Sequence, residues 1–324
     1  MKYGIFEAIG NTSMIKIDID GQPLRLKLEC MNPFGSMKDR AASFVLNTLL
    51  QSGTICINTT IVESSSGNFA IALSGVCAAL NLKCICVVDN NLTEANRQII
   101  EQYGGQIHKV DTPKKEQSYQ EKRIKTVKQL LFSNSNTYWT NQYDNELIVQ
   151  SYFSLGEEIL TQCPEMERIY IPVSTCGTIA GISTLIKKHN PNIEIIAVDS
   201  FGSQIFGERI GRNRFTGMGS RITPGNLKNA IIDQIVRVSD YDCLINCHDL
   251  LKKGIFAGAS SGAVIAAIRK TNGFGNNTVA LFPDRGDRYL GNLYNLNWIE
   301  NNLSKLKEEH ETIYQQLSKQ CKIG

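Results

Sequence analysis

The sequence predicts an α/β fold with largely parallel sheets. Short apolar runs bounded by turn residues recur along the chain, as buried parallel strands tend to do. Stretches with the apolar periodicity of amphipathic helices lie between them, and this alternation is typical of α/β proteins. The 324 residues suffice for one or two domains, which at this length bury roughly 75% of the surface that the unfolded chain exposes.

A hairpin is predicted first, because the β-like runs Met14–Ile19 and Leu24–Glu29 flank the turn Asp20-Gly21-Gln22-Pro23. The later strands are predicted at Thr60–Val62, Cys84–Val88, Ile169–Val173, Ile193–Val198, Ile231–Val238 and Thr278–Phe282. The helices are predicted at Ala41–Leu50, Phe69–Leu80, Glu94–Tyr103, Glu116–Phe132, Glu146–Leu160, Thr178–Lys188, Tyr241–Lys253 and Ser261–Arg269. The polar tracts 111–120 and 133–137 are expected to be loops or helix edges, and 300–324 a charged terminal helix.

The composition is that of an ordinary globular protein. Hydrophobic residues make up 42% of the chain and charged residues 20%, which excludes disordered and fibrous proteins. The net charge of +3 provides no chain-wide attraction for nucleic acid or lipid. The first residues open no apolar signal stretch, and no run of eighteen apolar residues occurs. We therefore expect a cytoplasmic protein without nucleic-acid or membrane partners.

The ten cysteines are scattered, and no Cys-x-x-Cys occurs. In the absence of a signal segment they are expected to be reduced thiols, many of them acting as small buried hydrophobic residues. Cys243, Cys247 and His248 have a spacing that could suit a metal. A structural zinc site normally needs four ligands, and no second Cys/His pair lies nearby. We therefore predict no metal site.

Three turns combine hydroxyl side chains with glycine, and each is expected to follow a β-like run and to begin a helix. They are Glu63–Asn68, Ser174–Thr178 and Gly258–Gly262. Such turns place free backbone N–H groups, hydroxyls and the positive end of a helix dipole at the carboxyl edge of a sheet. One turn alone could be an ordinary helix cap, but three suggest a ligand with more than one anionic group. Neither Gly-x-Gly-x-x-Gly nor Gly-x-x-x-x-Gly-Lys-Ser/Thr follows a strand, which disfavours dinucleotides and nucleoside triphosphates.

Lys38 lies at the start of a predicted helix, in the segment Asn32–Arg40. The positive end of the helix dipole destabilises its ammonium and lowers its pKa, as an amine nucleophile requires. Taken alone, Lys38 could be an exposed surface lysine. Together with the three turns, it predicts a lysine that forms a Schiff base with a phosphate-bearing cofactor.

The segment Asn32-Pro-x-Gly-Ser-x-Lys38-Asp-Arg, followed by Ser65-Ser66-Gly67-Asn68, resembles the fold-type II, pyridoxal-phosphate-dependent β-substituting enzymes of the cysteine synthase and cystathionine β-synthase group. The resemblance runs from about Ile9 to Tyr289 with the motifs in family order. Within this group the chain is most similar to the N-(2-amino-2-carboxyethyl)-L-glutamate synthases, which serve diaminopropionate production in siderophore and peptide-antibiotic pathways. The shared pieces are Met31–Arg40, Asn141–Leu147, Val173–Thr175, Gly254–Gly258 and Pro283–Leu290.

The resemblance implies a tryptophan synthase β-like fold of two α/β domains, with mainly parallel central sheets and pyridoxal 5'-phosphate between them. The larger, cofactor-binding domain would comprise residues 1–36 and 141–300, and the smaller, mobile domain residues 37–140. Residues 301–324 would form a helical tail. Members of the family are usually homodimers, so we expect a homodimer here.

Site roles are also implied by the resemblance. Lys38 would hold the cofactor and then remove the Cα proton of the substrate. Asn68 would bind the phenolic oxygen of the cofactor, and Ser260 would face its pyridine nitrogen. The phosphate would be cradled by Ser174, Thr175, Cys176, Gly177 and Thr178. The substrate carboxylate would be held by Ser65, Ser66, Asn68 and Gln142.

A neutral serine at the pyridine nitrogen has a mechanistic consequence. Many pyridoxal enzymes place a carboxylate there, which keeps the ring a strong electron sink. Ser260 should leave the nitrogen largely unprotonated, which favours elimination at Cβ over transamination. The expected product is an α-aminoacrylate that a second nucleophile attacks.

Three departures from the cysteine synthase pattern bear on the substrate. The phosphate turn there is usually Gly-Thr-Gly-Gly-Thr, whereas side chains stand here at Ser174 and Cys176. Phe69 replaces a hydroxyl donor in the carboxylate turn, and it is either a substrate contact or a packing residue. Arg221 occupies a position that is commonly apolar in O-acetylserine enzymes. Its guanidinium could pair with a phosphate leaving group, or it could form a surface ion pair.

The sequence therefore predicts β-replacement on O-phospho-L-serine with L-glutamate as the second substrate, in the EC 2.5.1 class. A cysteine synthase acting on O-phosphoserine or O-acetylserine is the alternative. A catalytically silent, cofactor-binding regulatory partner is a more distant one, and intact Lys38, Asn68 and Ser260 argue against it.

Overall fold

The computed structural model of the protein describes residues 4–112, 118–207 and 209–320. The strands are β1 (Met14–Ile19), β2 (Gln22–Leu28), β3 (Thr60–Ser64), β4 (Lys83–Val88), β5 (Gln106–Lys109), β6 (Thr137–Trp139), β7 (Arg168–Pro172), β8 (Glu194–Ser200), β9 (Gln234–Val238) and β10 (Thr278–Phe282). The helices are α1 (Lys38–Gln51), α2 (Asn68–Ala79), α3 (Glu94–Gln102), α4 (Tyr119–Ser133), α5 (Glu146–Gln150), α6 (Phe153–Gln162), α7 (Gly177–His189), α8 (Asp240–Lys252), α9 (Ala259–Thr271) and α10 (Leu296–Gln320).

Six strands form the larger sheet, in the order β1-β2-β10-β7-β8-β9. Only the β1–β2 pair is antiparallel. The predicted hairpin is confirmed, with positive φ at Asp20 (57°) and Gly21 (75°), the turn geometry that follows the twist of paired strands. The strands β7 and β10 are neighbours in this sheet, so the segments that follow them begin at the same edge.

Four parallel strands form the smaller sheet, in the order β5-β4-β3-β6. The sequence predicted its two central strands but missed β5 and β6, which lie at its edges. β5 has four residues and is mostly exposed, and β6 has three half-buried residues, so neither carries a strong apolar signal. All four strands lie within residues 37–140, the span predicted for the smaller domain.

The two sheets share one hydrophobic core, so they are packed as parts of a single arrangement. Val45 of α1, Ile61 of β3, Ile171 of β7 and Ile182 of α7 all belong to it and are fully buried. A second core lies on the other face of the larger sheet, beneath α8 and α9. The prediction of two α/β units with mainly parallel sheets is therefore confirmed.

Three local predictions are wrong. The helix predicted at Glu146–Leu160 is two helices, because the helical backbone is interrupted at residues 151 and 152. The Ser151 hydroxyl donates to the Ile148 carbonyl at this interruption. The strand predicted at Ile231–Val238 begins only at Gln234, since the Ile231 N–H donates to the Ser183 hydroxyl instead of a strand. The turn at Gly258 follows α8 and a loop, with only an isolated bridge at Ala257 rather than a strand.

The terminal helix begins at Leu296, four residues before its predicted start. The positions 113–117 and 321–324, which include the predicted helix start at Glu116 as well as Cys321, lie outside the described residues. The nine cysteines within the described ranges are all free thiols. Among the described helices, none combines the length and the apolar character needed to cross a membrane.

Candidate active site

Lys38 is the first residue of α1 and lines an inner cavity of about 140 Å³ between the two sheets. Its Nζ lies 5.8 Å from the centre of the Tyr152 ring. Burial lowers the pKa of Lys38 to about 8, and the nearby Asp284 carboxylate partly opposes this change. The direction agrees with the sequence prediction, but the principal cause is desolvation rather than the helix terminus.

The segment before Lys38 is held by the carboxylate of Asp39. This carboxylate accepts a hydrogen bond from the Phe34 backbone N–H at 2.6 Å and lies 3.4 Å from the Ser36 hydroxyl. The Ser36 oxygen in turn accepts from the Lys38 N–H. These bonds close the turn that delivers the lysine to the cavity.

Eight of the predicted site residues come together around this cavity. They are Lys38, Ser65, Ser66, Asn68, Phe69, Gln142, Ser174 and Thr175. Phe69 also belongs to the shared hydrophobic core and is only 2% exposed, so it packs as well as lining the cavity. The four other predicted cofactor contacts do not line it: Cys176, Gly177, Thr178 and Ser260 are buried behind its wall.

The first predicted turn connects β3 to α2, and its part Ser64–Asn68 is called the substrate turn here. It is supported by Glu63, which begins the predicted turn but was given no role by the sequence. The buried Glu63 carboxylate accepts hydrogen bonds from the Thr140 hydroxyl (2.6 Å) and the Gln142 N–H (3.2 Å). The Gln142 side-chain amide then donates to the Ser64 carbonyl at 3.0 Å. Glu63 thereby fixes Gln142 beside the turn, although the two are 79 residues apart.

Asn68 is held from two sides by residues of the Pro283–Tyr289 motif. Its Nδ2 donates to the Asp284 carboxylate at 2.7 Å, and its Oδ1 accepts from the Arg288 guanidinium. Tyr289 also donates to Asp284, at 2.8 Å, and the Ser260 hydroxyl lies 3.5 Å from the same carboxylate. The motif was visible in the sequence, but nothing there linked it to Asn68.

Asp284 is fully buried next to Lys38, Asn68 and Ser260. Burial raises the pKa of its carboxyl above the usual range, while Asn68, Arg288 and Tyr289 act in the opposite direction. The hydrogen bonds and the arginine charge offset part of this shift. The Ser260 hydroxyl, which the sequence predicted to face the pyridine nitrogen, therefore has a buried carboxyl group 3.5 Å away.

The phosphate turn, Ser174–Thr178, begins α7 and is shaped mainly by its own backbone. Cys176 is in the left-handed conformation with φ of 61°, which a residue with a side chain rarely adopts. A Cβ added to Gly177 would lie 2.5 Å from Cγ2 of Ile148, so only glycine fits there. Burial raises the pKa of the Cys176 thiol to about 12, which leaves it uncharged.

Two side-chain amides, those of Gln142 and Asn226, connect the two turns. The Asn226 amide donates to the Gln142 carbonyl at 2.8 Å and to the Thr175 carbonyl at 3.0 Å. Because Gln142 also bonds Ser64, the chain of contacts runs from the substrate turn to the phosphate turn through two amides. Asn226 was another residue that the sequence analysis did not select.

An outer cavity of about 340 Å³ adjoins the inner one, and both are bordered by Ser66, Arg123, Tyr143 and Ser174. Arg123 is buried and pairs with Asp89 at 2.8 Å, and its Nε has no hydrogen-bond partner among the described residues. Arg221 is exposed and lines only the outer cavity. Arg221, which the sequence selected, therefore borders the outer cavity, whereas Arg123 at the junction was not selected.

Comparison with known proteins fits this geometry. A family profile described as pyridoxal-phosphate dependent enzyme matches residues 5–284. The chain belongs to this family. It is similar to the O-acetylserine dependent cystathionine β-synthase of Helicobacter pylori, with 30% identity and a TM-score of 0.81 over 89% of this chain and 96% of that one.

Two further solved structures show the same fold. A hydrogen sulfide-producing enzyme from Fusobacterium nucleatum is 27% identical, with a TM-score of 0.82 over 90% of this chain and all of that one. An O-ureido-L-serine synthase is 25% identical, with a TM-score of 0.82 over 90% of this chain and 95% of that one.

The cofactor of this family is pyridoxal 5'-phosphate, and the residues around the inner cavity fit it. Lys38 offers an amine with a lowered pKa. The start of α7, a helix of thirteen residues, offers backbone N–H groups for a phosphate. When bound, the cofactor supplies an aldehyde that condenses with amines and a conjugated ring that accepts electrons from Cα.

The cysteine and histidine pattern near residue 243 does not form a metal site within the described residues. Cys247 donates to the Gly258 carbonyl, and the His248 ring lies 2.9 Å from the Leu293 carbonyl. No group of three or more potential ligands is assembled anywhere in the described ranges.

Proposed function

We propose that the protein catalyses β-replacement on O-phospho-L-serine, with L-glutamate as the second substrate. The Cβ–O bond to phosphate breaks, a bond forms between Cβ and the glutamate nitrogen, and the amine proton is released. The products are N-(2-amino-2-carboxyethyl)-L-glutamate and phosphate. Two related structures are named for O-acetylserine and O-ureido-L-serine chemistry, which supports a serine derivative as the first substrate.

The observation that carries the proposal is the pair of joined cavities with an arginine at their junction. The inner cavity brings Lys38 to the hydroxyls of Ser65 and Ser66 and the amide of Gln142. These groups would hold the carboxylate of the first substrate with its Cα proton facing the lysine. The uncharged Lys38 amine would then take that proton.

Arg123 is the residue that we propose for the leaving group. It borders both cavities and is close to the Ser66 hydroxyl, at 3.4 Å. A guanidinium there could bind a phosphate on Cβ while Ser65 and Ser66 hold the carboxylate. The sequence assigned this role to Arg221, which lies farther out.

Arg221 is instead proposed to receive a carboxylate of the second substrate. It is exposed on the wall of the outer cavity, and its backbone is fixed by a hydrogen bond from its N–H to the Gln120 side chain. Burial and the neighbouring Arg209 both lower the pKa of Arg221, so a second cation lies close by. Arg221 lines this cavity and Arg209 lies near Arg221, and this positive charge suits a dicarboxylate better than it suits sulfide.

The first test uses the purified protein, which should be yellow and should retain the cofactor on Lys38 after borohydride reduction. O-phosphoserine or O-acetylserine is then supplied with glutamate or sulfide, and products are identified by mass spectrometry. The glutamate adduct from O-phosphoserine is expected. Cysteine as the only product would establish the cysteine synthase alternative, and no product with any pair would favour the silent partner.

The second test separates the two arginines with the matched variants Arg123→Lys and Arg221→Lys. Arg123→Lys should raise the KM for O-phosphoserine, because a point charge cannot reproduce a bidentate phosphate contact. Arg221→Lys should raise the KM for glutamate. The reverse pattern would restore the assignment made from the sequence.

We also propose, from the sequence resemblance, that the protein is a cytoplasmic homodimer that supplies a diaminopropionate or siderophore pathway. Light scattering of the purified protein gives the oligomeric state directly. A monomeric mass would contradict the dimer without affecting the proposed reaction.

A further inference from the structure

Gly202 and residues 213–221 form one wall of the outer cavity, and none of these residues lies in a helix or strand. The part from Asn213 to Arg221 lines the cavity continuously. A loop of this kind keeps its position only through contacts with neighbouring elements. Its inner part is fixed by a hydrogen bond from Gly219 N–H to the Val173 carbonyl and one from the Tyr289 hydroxyl to the Thr216 carbonyl.

The outer part of this wall is held by the terminal helix α10. Arg214 forms a bidentate pair with Glu309 of α10, with both N–O distances 2.7 Å. Its guanidinium also lies 3.1 Å from Asp240 at the start of α8, and its backbone N–H donates to the same carboxylate. The Arg214 side chain is 16% exposed, so this pair is more shielded from solvent than an ordinary surface ion pair.

Aromatic contacts reinforce the same attachment. Phe215 packs against Trp298 and Phe201 against Tyr314, both with ring centres 5.8 Å apart. The contacts occur at two points of α10 separated by more than four helical turns, so the helix lies along the wall. Near the second point, His310 contacts Ser239 at the start of α8.

We propose that α10 is a positioning element for the second substrate, and that Glu309 acts through Arg214 to hold the wall of the outer cavity. This inference rests on the proposed function, because it assigns the outer cavity to the second substrate. The first substrate binds in the inner cavity, whose contacts with this loop are limited to Thr216 and Gly217. Loosening α10 should therefore weaken the binding of the second substrate and leave the binding of the first unchanged.

The test compares Glu309→Gln with Glu308→Gln, the same change at an exposed neighbour on the same helix. Glu309→Gln removes the charge opposite Arg214 and should raise the KM for glutamate roughly three- to thirtyfold. The burst of phosphate released from O-phosphoserine in the absence of glutamate should keep its rate and amplitude. Glu308→Gln should match the unaltered protein in both measurements, and Glu309→Asp should recover part of the lost affinity.

A general loss of stability would give a different result. If Glu309→Gln slowed the phosphate burst and raised both KM values together, α10 would be a structural support only and the proposal would be wrong. An unchanged KM for glutamate would contradict it as well. If the unaltered protein gave no phosphate burst, the proposed function itself would fail, and this outcome is recognised before any variant is made.

Discussion

The substrate turn and the phosphate turn have similar sequences but are held in different ways. The substrate turn depends on charged side chains from distant parts of the chain: Glu63 positions Gln142, and Asp284 with Arg288 orients Asn68. The phosphate turn depends on local backbone geometry, with a left-handed Cys176 and a glycine at 177 that admits no side chain. Similar composition therefore conceals two kinds of support, one through buried charged and polar side chains, the other mainly through backbone conformation and steric fit at Gly177.

The largest expected loss of stability is for a change at Asp284, the carboxyl group that holds Asn68 of the substrate turn. Asp284→Ala leaves the buried donors of Asn68 and Tyr289 without their acceptor. We expect a loss of about 2–4 kcal/mol in the free energy of unfolding, together with weaker cofactor binding. Denaturant unfolding and a cofactor titration measure the two quantities. A loss below about 1 kcal/mol would mean that the substrate turn does not depend on this carboxylate.

The pKa of Lys38 should respond to a change at the support of the substrate turn but not to a change in the phosphate turn. With a pKa of about 8, its amine should take up cofactor in the apoprotein at a rate that rises with pH around that value. Asp284→Asn should move the midpoint to lower pH, because the carboxylate raises the lysine pKa. Cys176→Gly should leave it unchanged, because the thiol with a pKa of about 12 is uncharged there.

The Lys38 amine also affects the stability of the apoprotein. Between pH 8 and the ordinary lysine value of 10.5, the unfolded chain binds the proton while the folded chain does not. The contribution of Lys38 to the free energy of unfolding should therefore rise with pH across this window, by about 3 kcal/mol, while buried thiols with raised pKa values, such as Cys176, act in the opposite direction. The Lys38 contribution is measured as the difference between the unaltered protein and Lys38→Ala at each pH.

A smaller loss of stability is expected for a change at Gly177, where the phosphate turn has no room for a side chain. Gly177→Ala places a methyl group 2.5 Å from Ile148 and 3.5 Å from the Asn226 amide, so the turn must move. We expect a loss of about 1–3 kcal/mol and weaker cofactor binding. Gly156→Ala is the control, since its Cβ would meet Leu185 farther along α7 at 2.7 Å. Equal cofactor affinity in the two variants would show that the turn tolerates the displacement.

The smallest effect is expected for Cys176→Gly. Glycine relieves the left-handed conformation, while the lost thiol gives up some buried contact. We expect a net change within about 1 kcal/mol and unchanged cofactor affinity. A large loss of cofactor would give the Cys176 side chain a role that the local geometry does not suggest.

The comparison also explains which features were predictable. Lys38, the hydroxyl turns and Gly177 lie in short motifs whose chemistry is local, and the sequence identified them. Glu63, Asp284, Arg123 and Asn226 act across 51 to 216 residues of chain. Their roles depend on which strand lies beside which, and a single sequence does not specify this. The edge strands β5 and β6 were not predicted for a related reason, since they are strands because of their pairing with neighbours rather than because of their composition.

The two amides of Gln142 and Asn226 have a consequence for the ageing of the protein. They connect the substrate turn to the phosphate turn, and both use N–H groups to do so. Hydrolysis of either amide to an acid would replace a donor with a negative charge about 3 Å from a carbonyl oxygen. The new carboxylate would repel the carbonyl oxygens to which the amide had donated. A chemical change of one mass unit would therefore alter the distance between the two turns.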